Sequence, residues 1–190
     1  MPTPPTPTPI MAAYGASEMP TTSLIAPIPL ADLPLELAQA VQRGQATRML
    51  SSTLPVQVWA HRPGVALAWL NTLDQMHNHG VLDSRLRELL RLRIAAFTTC
   101  RACQRARKTD EVTEEDIACM AFDDPRFSPL ERAAMHYAEL FASDPLSIDE
   151  KTFAELARWF STPEIVELNM FCALMLAGGR MTQAQRAFEN

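Results

Sequence analysis

The stretch LDSRLRELLRLRIAAFTTCRAC, residues 82–103, contains the two features on which the fold and the chemistry of this chain depend. Its first part, Asp83 to Thr98, is predicted to be a helix, because apolar residues recur at helical spacing among good helix formers. Its second part ends in Cys100-Arg-Ala-Cys103, a spacing that allows a dithiol to cycle with a disulfide. The adjacent threonines Thr98 and Thr99 separate the two parts.

The composition around this stretch favours helices throughout. The 190 residues include 27 Ala and 22 Leu but 7 Val and 7 Ile. Ala and Leu stabilise helices, whereas strands are enriched in β-branched residues. We therefore predict an all-α fold, a compact bundle of about seven helices, with no strand beside the cysteines.

The helix boundaries are marked by capping signals, in which a hydroxyl is followed three residues later by a carboxyl group. The four signals are Thr113-Glu-Glu-Asp116, Ser128-Pro-Leu-Glu131, Ser147-Ile-Asp-Glu150 and Ser161-Thr-Pro-Glu164. Gly178-Gly179 is predicted to end the last long helix. Further helices are predicted over Leu35–Leu50, Gly64–Met76 and Asp83–Thr98.

The N-terminal segment differs from the rest in composition. Nine of the fifteen prolines fall in the first 34 residues, and residues 1–9 read MPTPPTPTP. Such a segment offers no hydrophobic period that could pack. We predict a Pro/Thr-rich disordered tail over residues 1–23 and a single helical domain over residues 24–190.

Charge and hydropathy restrict the partners. The formal net charge of −5 argues against nucleic acid, since phosphate binding needs a basic field. The longest apolar stretch, Met170 to Gly179, is shorter than the roughly 20 residues that span a bilayer. A secretory signal begins with a positively charged region, but the first seventeen residues carry no Lys or Arg. We expect a cytoplasmic protein with reduced thiols that binds neither nucleic acid nor membrane.

The cysteine pair lies in a basic segment. Eight of the seventeen basic residues fall between Arg85 and Lys108, and their field should lower a thiol pKa. Three alternatives remain open. A thioredoxin fold would need a preceding strand, a zinc site would need a second close pair of ligands, and two cysteines can simply pack inside a helical core.

Several motifs together resemble a known family. They are His61-Arg-Pro, Leu82 to Arg93, Cys100-x-x-Cys103, Val112-Thr-Glu-Glu-Asp-Ile117, Ser128-Pro-Leu-Glu-Arg-Ala-Ala134 and Pro163-Glu-Ile-Val-Glu-Leu168. From about Leu35 to Met181, the chain resembles the carboxymuconolactone decarboxylase family in its alkylhydroperoxidase-like branch.

The resemblance implies an all-α homo-oligomer, a trimer, dimer or hexamer, that works without cofactor or metal. It also implies a peroxidase site. Glu88, Cys100 and Cys103 match the family's glutamate and cysteines, so Cys103 would attack a hydroperoxide and Cys100 would resolve the product. A thiol reductant protein would then restore the dithiol.

One position departs from the family pattern, because Arg107 stands where the family has a histidine. Arginine cannot exchange a proton near neutral pH, since its pKa lies above 12. A weakened peroxidase is therefore the leading hypothesis. Because arginine pairs well with carboxylates, Arg107 could instead bind an acidic metabolite in a non-redox lyase or isomerase. A non-catalytic oligomeric member is the third alternative.

Geometry sets a condition on this site. In one unbroken helix, Glu88 and Cys103 would lie about 22 Å apart. They can meet only if the chain turns back at Thr98-Thr99, with Thr99 as a possible N-cap for the next helix. Glu88 shares an apolar stripe with Leu92, so we expect it to be partly buried and to form an ion pair with Arg107. A pocket lined by Phe97, Trp69 and methionines is also possible.

Overall fold

The computed structural model describes residues 23–99, 101–120 and 124–188, and every regular element within these ranges is helical. Apart from Ser23, the segment predicted to be a disordered tail lies outside the described residues. The α-helices are α1 (Leu35–Ala46), α2 (Leu54–Trp59), α3 (Pro63–Asn78), α4 (Ser84–Phe97), α5 (Arg101–Arg105), α6 (Glu114–Ala118), α7 (Pro129–Ser143), α8 (Glu150–Leu156) and α9 (Thr162–Gln185). The predicted all-α class is confirmed. The count in the described ranges exceeds seven because α2 and α5, of six and five residues, were not among the seven helices counted from the sequence.

Helix α4 is the centre of the molecule. It packs against α7, α9 and α5. Its residues Leu86, Leu90 and Ile94 are buried in the main core, which also contains Tyr137 of α7 and Phe171 of α9. A helix that is buried on most of its circumference positions whatever polar groups it carries with little freedom.

A second layer is formed by α1, α2 and α3, which enclose a separate apolar cluster that includes Leu37, Val41, Val56 and Leu70. The segment between α1 and α2 contains Met49 and Ser51. This segment lies near the end of α5, where the Lys108 ammonium donates hydrogen bonds to the Met49 carbonyl and to Ser51 Oγ.

The capping signals locate three of the four predicted helix starts. Thr113, Ser128 and Ser161 each begin a helix with a reciprocal capping box. The fourth prediction was wrong by two residues: Asp149, not Ser147, caps α8 and forms its box with Thr152. Asp149 is itself a good capping residue, and Pro145–Ser147 forms a short 3-10 helix instead.

The predicted stop at Gly178-Gly179 was also wrong, because α9 continues to Gln185. Both glycines lie inside the helix at a close approach. A Cβ on Gly178 would lie 3.4 Å from Trp69 of α3, and one on Gly179 would lie 3.4 Å from Thr98 at the end of α4. The two glycines therefore lie where α9 meets α3 and the end of α4, and an added Cβ would just touch these neighbours.

Helix α9 is, within the described ranges, the one helix long and apolar enough by length and composition to cross a membrane. In this fold one face of α9 belongs to the core, since Leu168, Phe171 and Cys172 are completely buried in the main cluster.

Candidate active site

The site is built around an ion pair inside α4. Arg91 donates two hydrogen bonds to the Glu88 carboxylate, Nε to Oε2 and Nη2 to Oε1, each 2.7 Å long. Only 1% of the Glu88 side chain and 6% of that of Arg91 are exposed. A bidentate hydrogen-bonded pair of this kind holds the carboxylate in one direction.

The same arginine fixes the cysteine segment. Arg91 donates to the backbone carbonyls of Cys103 and Ala106. The Lys108 backbone N–H donates to Glu88 Oε1 at 3.1 Å, and the Gln104 side chain donates to Ala95 O at 3.0 Å. The chain therefore turns back along α4, as expected from the threonine pair, and brings Cys103 to the Glu88–Arg91 pair.

The turn itself differs from the expectation in one detail. Thr98 caps the C-terminus of α4, and Thr99 has a φ of 51°, which is left-handed backbone. Such a residue is typical of the position just after a helix, whereas an N-cap has extended backbone. Thr99 ends α4 and is not the predicted N-cap.

The expected ion pair between Glu88 and Arg107 was wrong. Arg107 instead pairs with Glu114 at the start of α6, with distances of 2.8 and 3.0 Å. The reason is that α5 ends at Arg105, so Arg107 lies in the following loop and turns away from α4. Glu88 pairs instead with Arg91, three residues along its own helix. The prediction that Glu88 is buried and forms an ion pair is confirmed, but with a different partner.

The cysteines have distinct environments. Cys103 is half-buried, lines a cavity and is disulfide-bonded. Cys100 lies outside the described residues. Cys119 and Cys172 are free, and burial raises the pKa of the Cys172 thiol, which makes it an inert core residue.

The cavity beside Cys103 has a volume of about 400 Å³ and a predominantly apolar lining. Trp59 and Trp69 form one wall, with their rings edge to face and centroids 6.0 Å apart. Met49 and Met175 also line the cavity, so the possible Trp/Met pocket is present. Phe97 does not line it. This residue is 41% exposed, and its ring centroid lies 5.5 Å from the Arg93 guanidinium carbon.

The cavity also has polar lining residues. They are Ser51, Ser52, His77, Thr98, Arg91, Cys103, Arg105, Lys108 and Thr182. Burial lowers the pKa of His77 to about 4, and the nearby cations Lys108, Arg87 and Arg91 act in the same direction. Burial and Arg91 lower the pKa of Lys108 to about 8, while Glu88 opposes the change. Arg107 does not line the cavity.

A smaller polar cavity of about 140 Å³ lies on the other side of His77 and Lys108, and Glu88 and Arg87 line it as well. His77 and Lys108 therefore separate an apolar space next to Cys103 from a polar space next to Glu88. Within the described ranges, no group of three or more His, Cys, Asp or Glu side chains is arranged to hold a metal ion.

Sequence reasoning missed Arg91, His77 and Lys108 as members of the site. A signal for Lys108 was available, because the chain contains fifteen Arg but only two Lys, and one of the two follows the cysteine pair. Arg91 could have been inferred from its i+3 spacing to Glu88. For His77, which lies near the end of α3, the sequence gives no comparable signal.

Comparison with known proteins agrees with this architecture. The family model "Carboxymuconolactone decarboxylase family" matches residues 63–140, which cover α3 to most of α7 and include Glu88 and Cys103. A curated relative, YnjA of Escherichia coli (strain K12), an uncharacterized protein, is 29% identical over 170 residues, covering 82% of this chain and 89% of its own.

Two solved structures share the fold. The debrominase Bmp8 superposes with a TM-score of 0.74 at 19% identity, covering 88% of this chain and 92% of its own. A cysteine-to-alanine variant of Bmp8 has been solved in complex with 2,3,4-tribromopyrrole. The alkylhydroperoxidase AhpD core, an uncharacterized peroxidase-related protein from Ralstonia eutropha JMP134, gives a TM-score of 0.71 at 21% identity, with 91% and 94% covered. The chain has the alkylhydroperoxidase-like fold, and its residues 63–140 match the carboxymuconolactone decarboxylase family model.

Proposed function

We propose that this protein is a thiol-dependent oxidoreductase that reduces an organic hydroperoxide through Cys103 and Cys100. The observation that carries the proposal is the position of Cys103 on the wall of an apolar cavity of about 400 Å³, next to buried cationic groups. Two further observations support thiol–disulfide chemistry: Cys103 is disulfide-bonded, and it lies within the residues that match the family model.

The reaction has two steps. The Cys103 thiolate attacks the distal oxygen of ROOH, the O–O bond breaks, Cys103 becomes a sulfenic acid, and RO⁻ leaves after taking a proton as ROH. The Cys100 thiol then attacks the sulfenic sulfur and releases water as the disulfide forms. A dithiol, either a small molecule or a reductant protein, returns the disulfide to two thiols.

The cavity favours a bulky apolar substrate. The two tryptophans and the methionines provide a wall on which an aromatic or aliphatic group can pack. Hydrogen peroxide would gain little from such a wall, whereas an aryl-substituted hydroperoxide would bury its apolar part. We therefore place the specificity of the protein with organic hydroperoxides.

Glu88, which matches the family's glutamate, acts in this proposal as a positioning residue. Its two carboxylate oxygens are held by Arg91, and one also accepts from the Lys108 backbone. Both carboxylate oxygens are therefore already engaged and are not directed at Cys103. The contribution of Glu88 is to fix Arg91, which in turn holds the backbone of Cys103.

A second candidate reaction uses the same residues. The debrominase Bmp8 shares the fold, and the Trp59–Trp69 wall suits a halogenated aromatic ring. In that reaction, Ar–Br and two thiols would give Ar–H, a disulfide, bromide and a proton. The lyase hypothesis is less well supported, because Arg107 lies outside the cavity and pairs with Glu114.

We infer further that the protein is a cytoplasmic homo-oligomer. One side of α9 exposes Val166, Met170, Ala173 and Ala177 at helical spacing, with 53% of Val166 and 51% of Met170 accessible. An apolar stripe of this kind on a helix is typical of a contact surface between subunits.

The test is turnover with dithiothreitol as reductant and cumene hydroperoxide, hydrogen peroxide or 2,3,4-tribromopyrrole as substrate. Wild type should consume cumene hydroperoxide faster than hydrogen peroxide. Cys103→Ser should lose at least about 100-fold of this rate, while Cys119→Ser, which removes a free thiol outside the cavity, should keep it. Bromide release without hydroperoxide turnover would select the second candidate, and full turnover by Cys103→Ser would reject both.

A further inference from the structure

Lys108 has a position that no other lysine or arginine of the described chain shares. It follows α5, and its ammonium reaches across the molecule to the Met49 carbonyl at 2.8 Å and to Ser51 Oγ at 2.5 Å. Its backbone N–H donates to Glu88. It lines both the apolar cavity beside Cys103 and the small polar cavity beside Glu88.

The hydrogen-bond partners of this ammonium are neutral. Within the described ranges, no carboxylate lies within ion-pair distance of Lys108, and the nearby Glu88 is engaged by Arg91. Cations dominate its surroundings. The titratable and charged side chains that share a cavity with it are Arg48 before α2, His77 of α3, Arg87, Glu88 and Arg91 of α4, and Cys103 and Arg105 of α5.

We propose that Lys108 is the acid–base group of the site and protonates the alkoxide that leaves when Cys103 attacks the hydroperoxide. The inference rests on the proposed function. As the O–O bond breaks, the Lys108 ammonium gives a proton to the departing RO⁻, and ROH leaves from the apolar cavity. The neutral amine then takes a proton from water in the polar cavity, which restores the ammonium before the next turnover.

The other groups that face both cavities or the cysteine are poorer acids for this step. His77 has a pKa of about 4 and is neutral at physiological pH. Arg91 is fixed between Glu88 and two backbone carbonyls, and an arginine does not give up its proton near neutral pH. A lysine whose pKa lies near 8 is mostly protonated at pH 7 and still able to release its proton, which is the best compromise for an acid catalyst.

The kinetic test compares three variants in single-turnover oxidation of the reduced protein by cumene hydroperoxide between pH 6 and 10. Lys108→Arg keeps the positive charge near Cys103 but cannot give up its proton. Lys108→Met removes both properties. Lys151→Arg changes the second lysine of the chain, which is exposed on α8, and serves as the matched control.

We expect the wild-type rate to fall on the alkaline side with a midpoint of about 8, as the Lys108 ammonium is lost. Lys108→Arg should lose this alkaline limb and react about 100-fold more slowly at pH 7, while Lys151→Arg should match wild type. A wild-type profile retained in Lys108→Arg would overturn the inference and leave the proposed function standing. Failure of wild type itself to react would overturn both.

A direct titration needs no Lys108 variant. Protein labelled with ¹³C-lysine contains two lysine side-chain signals, and Lys151→Arg identifies the one that belongs to Lys108. A midpoint of about 8 for that signal supports the inference, and a midpoint at the ordinary value of 10.5 overturns it.

Discussion

At the scale of single residues, the ion pair of Glu88 and Arg91 determines both stability and site geometry. Two charges in a helical core are expensive to desolvate, and the pair is retained only with good geometry and further hydrogen bonds. Both conditions hold here, since Arg91 donates two hydrogen bonds to the Glu88 carboxylate and also donates to the carbonyls of Cys103 and Ala106.

Glu88→Gln should therefore destabilise the protein by about 3–5 kcal/mol, because it leaves a buried guanidinium without its counter-charge. The matched control is Glu155→Gln, which breaks the ion pair of Glu155 with Arg158. This pair has the same i,i+3 spacing, but 46% of the Glu155 side chain and 66% of the Arg158 side chain are exposed. That change should cost much less, because a solvent-exposed ion pair contributes little to stability. Urea denaturation measures both, and equal losses would contradict a buried pair.

His77 gives the protein an acid-sensitive stability. Its pKa is about 4 in the fold, against 6.5 in the unfolded chain. As the pH falls from 6.5 to 4, the His77 imidazole becomes protonated in the unfolded chain but stays neutral in the fold. The free energy of unfolding therefore decreases by roughly 3 kcal/mol. His77→Phe should flatten this part of the pH dependence in urea titrations. An unchanged acid slope in the variant would show that other groups cause it.

At the scale of helices, local sequence predicts starts better than ends. Capping boxes involve residues three apart, so Thr113, Ser128 and Ser161 could be identified without any tertiary information. The glycine pair in α9 could not be interpreted in this way, because its role depends on Trp69 and Thr98 from other helices. The end of α5 at Arg105 could not be predicted from local sequence either, and for this reason the predicted ion pair of Arg107 with Glu88 was wrong.

The packing of α9 offers a test of the cavity. Gly178 lines it, and a Cβ at this position would point at Trp69. Gly178→Val should place two methyl groups in the substrate space and reduce turnover of cumene hydroperoxide more strongly than that of hydrogen peroxide, by about 10-fold in the ratio of kcat/KM values. Gly64→Val is the control, since Gly64 lies in α3 and a Cβ added there would have nothing within 4 Å. Equal effects on both peroxides would place the substrate elsewhere.

At the scale of the whole molecule, the sequence predicted the helical class and the meeting of Glu88 with the cysteine segment. It suggested a pocket lined by Trp69 and methionines, but it did not predict that Trp59 and Lys108 line this cavity. Lys108 meets Met49 and Ser51 across 59 and 57 positions of the chain, and the two tryptophans come from different helices. Such contacts depend on how the α1–α3 layer packs against α4 and α9, which no local pattern encodes.

The assembly prediction also belongs to this scale. Light scattering should give a mass well above the 21.1 kDa of one chain. Met170→Glu places a charge in the exposed stripe of α9 and should shift the mass towards the monomer, because a charge is costly in an apolar contact. Lys151→Glu on the exposed side of α8 should leave the mass unchanged. A monomeric wild type at micromolar concentration would contradict the proposed homo-oligomer.

The most direct measurement of the central claim traps the first oxidised cysteine. Reduced Cys100→Ser protein is treated with one equivalent of cumene hydroperoxide in the presence of dimedone, which reacts with sulfenic acids, and its peptides are analysed by mass spectrometry. The account predicts a dimedone adduct on Cys103 and none on Cys119 or Cys172, because Cys103 alone among these three lines the apolar cavity. An unmodified Cys103, with the hydroperoxide unconsumed, would contradict the assignment of Cys103 as the attacking thiol.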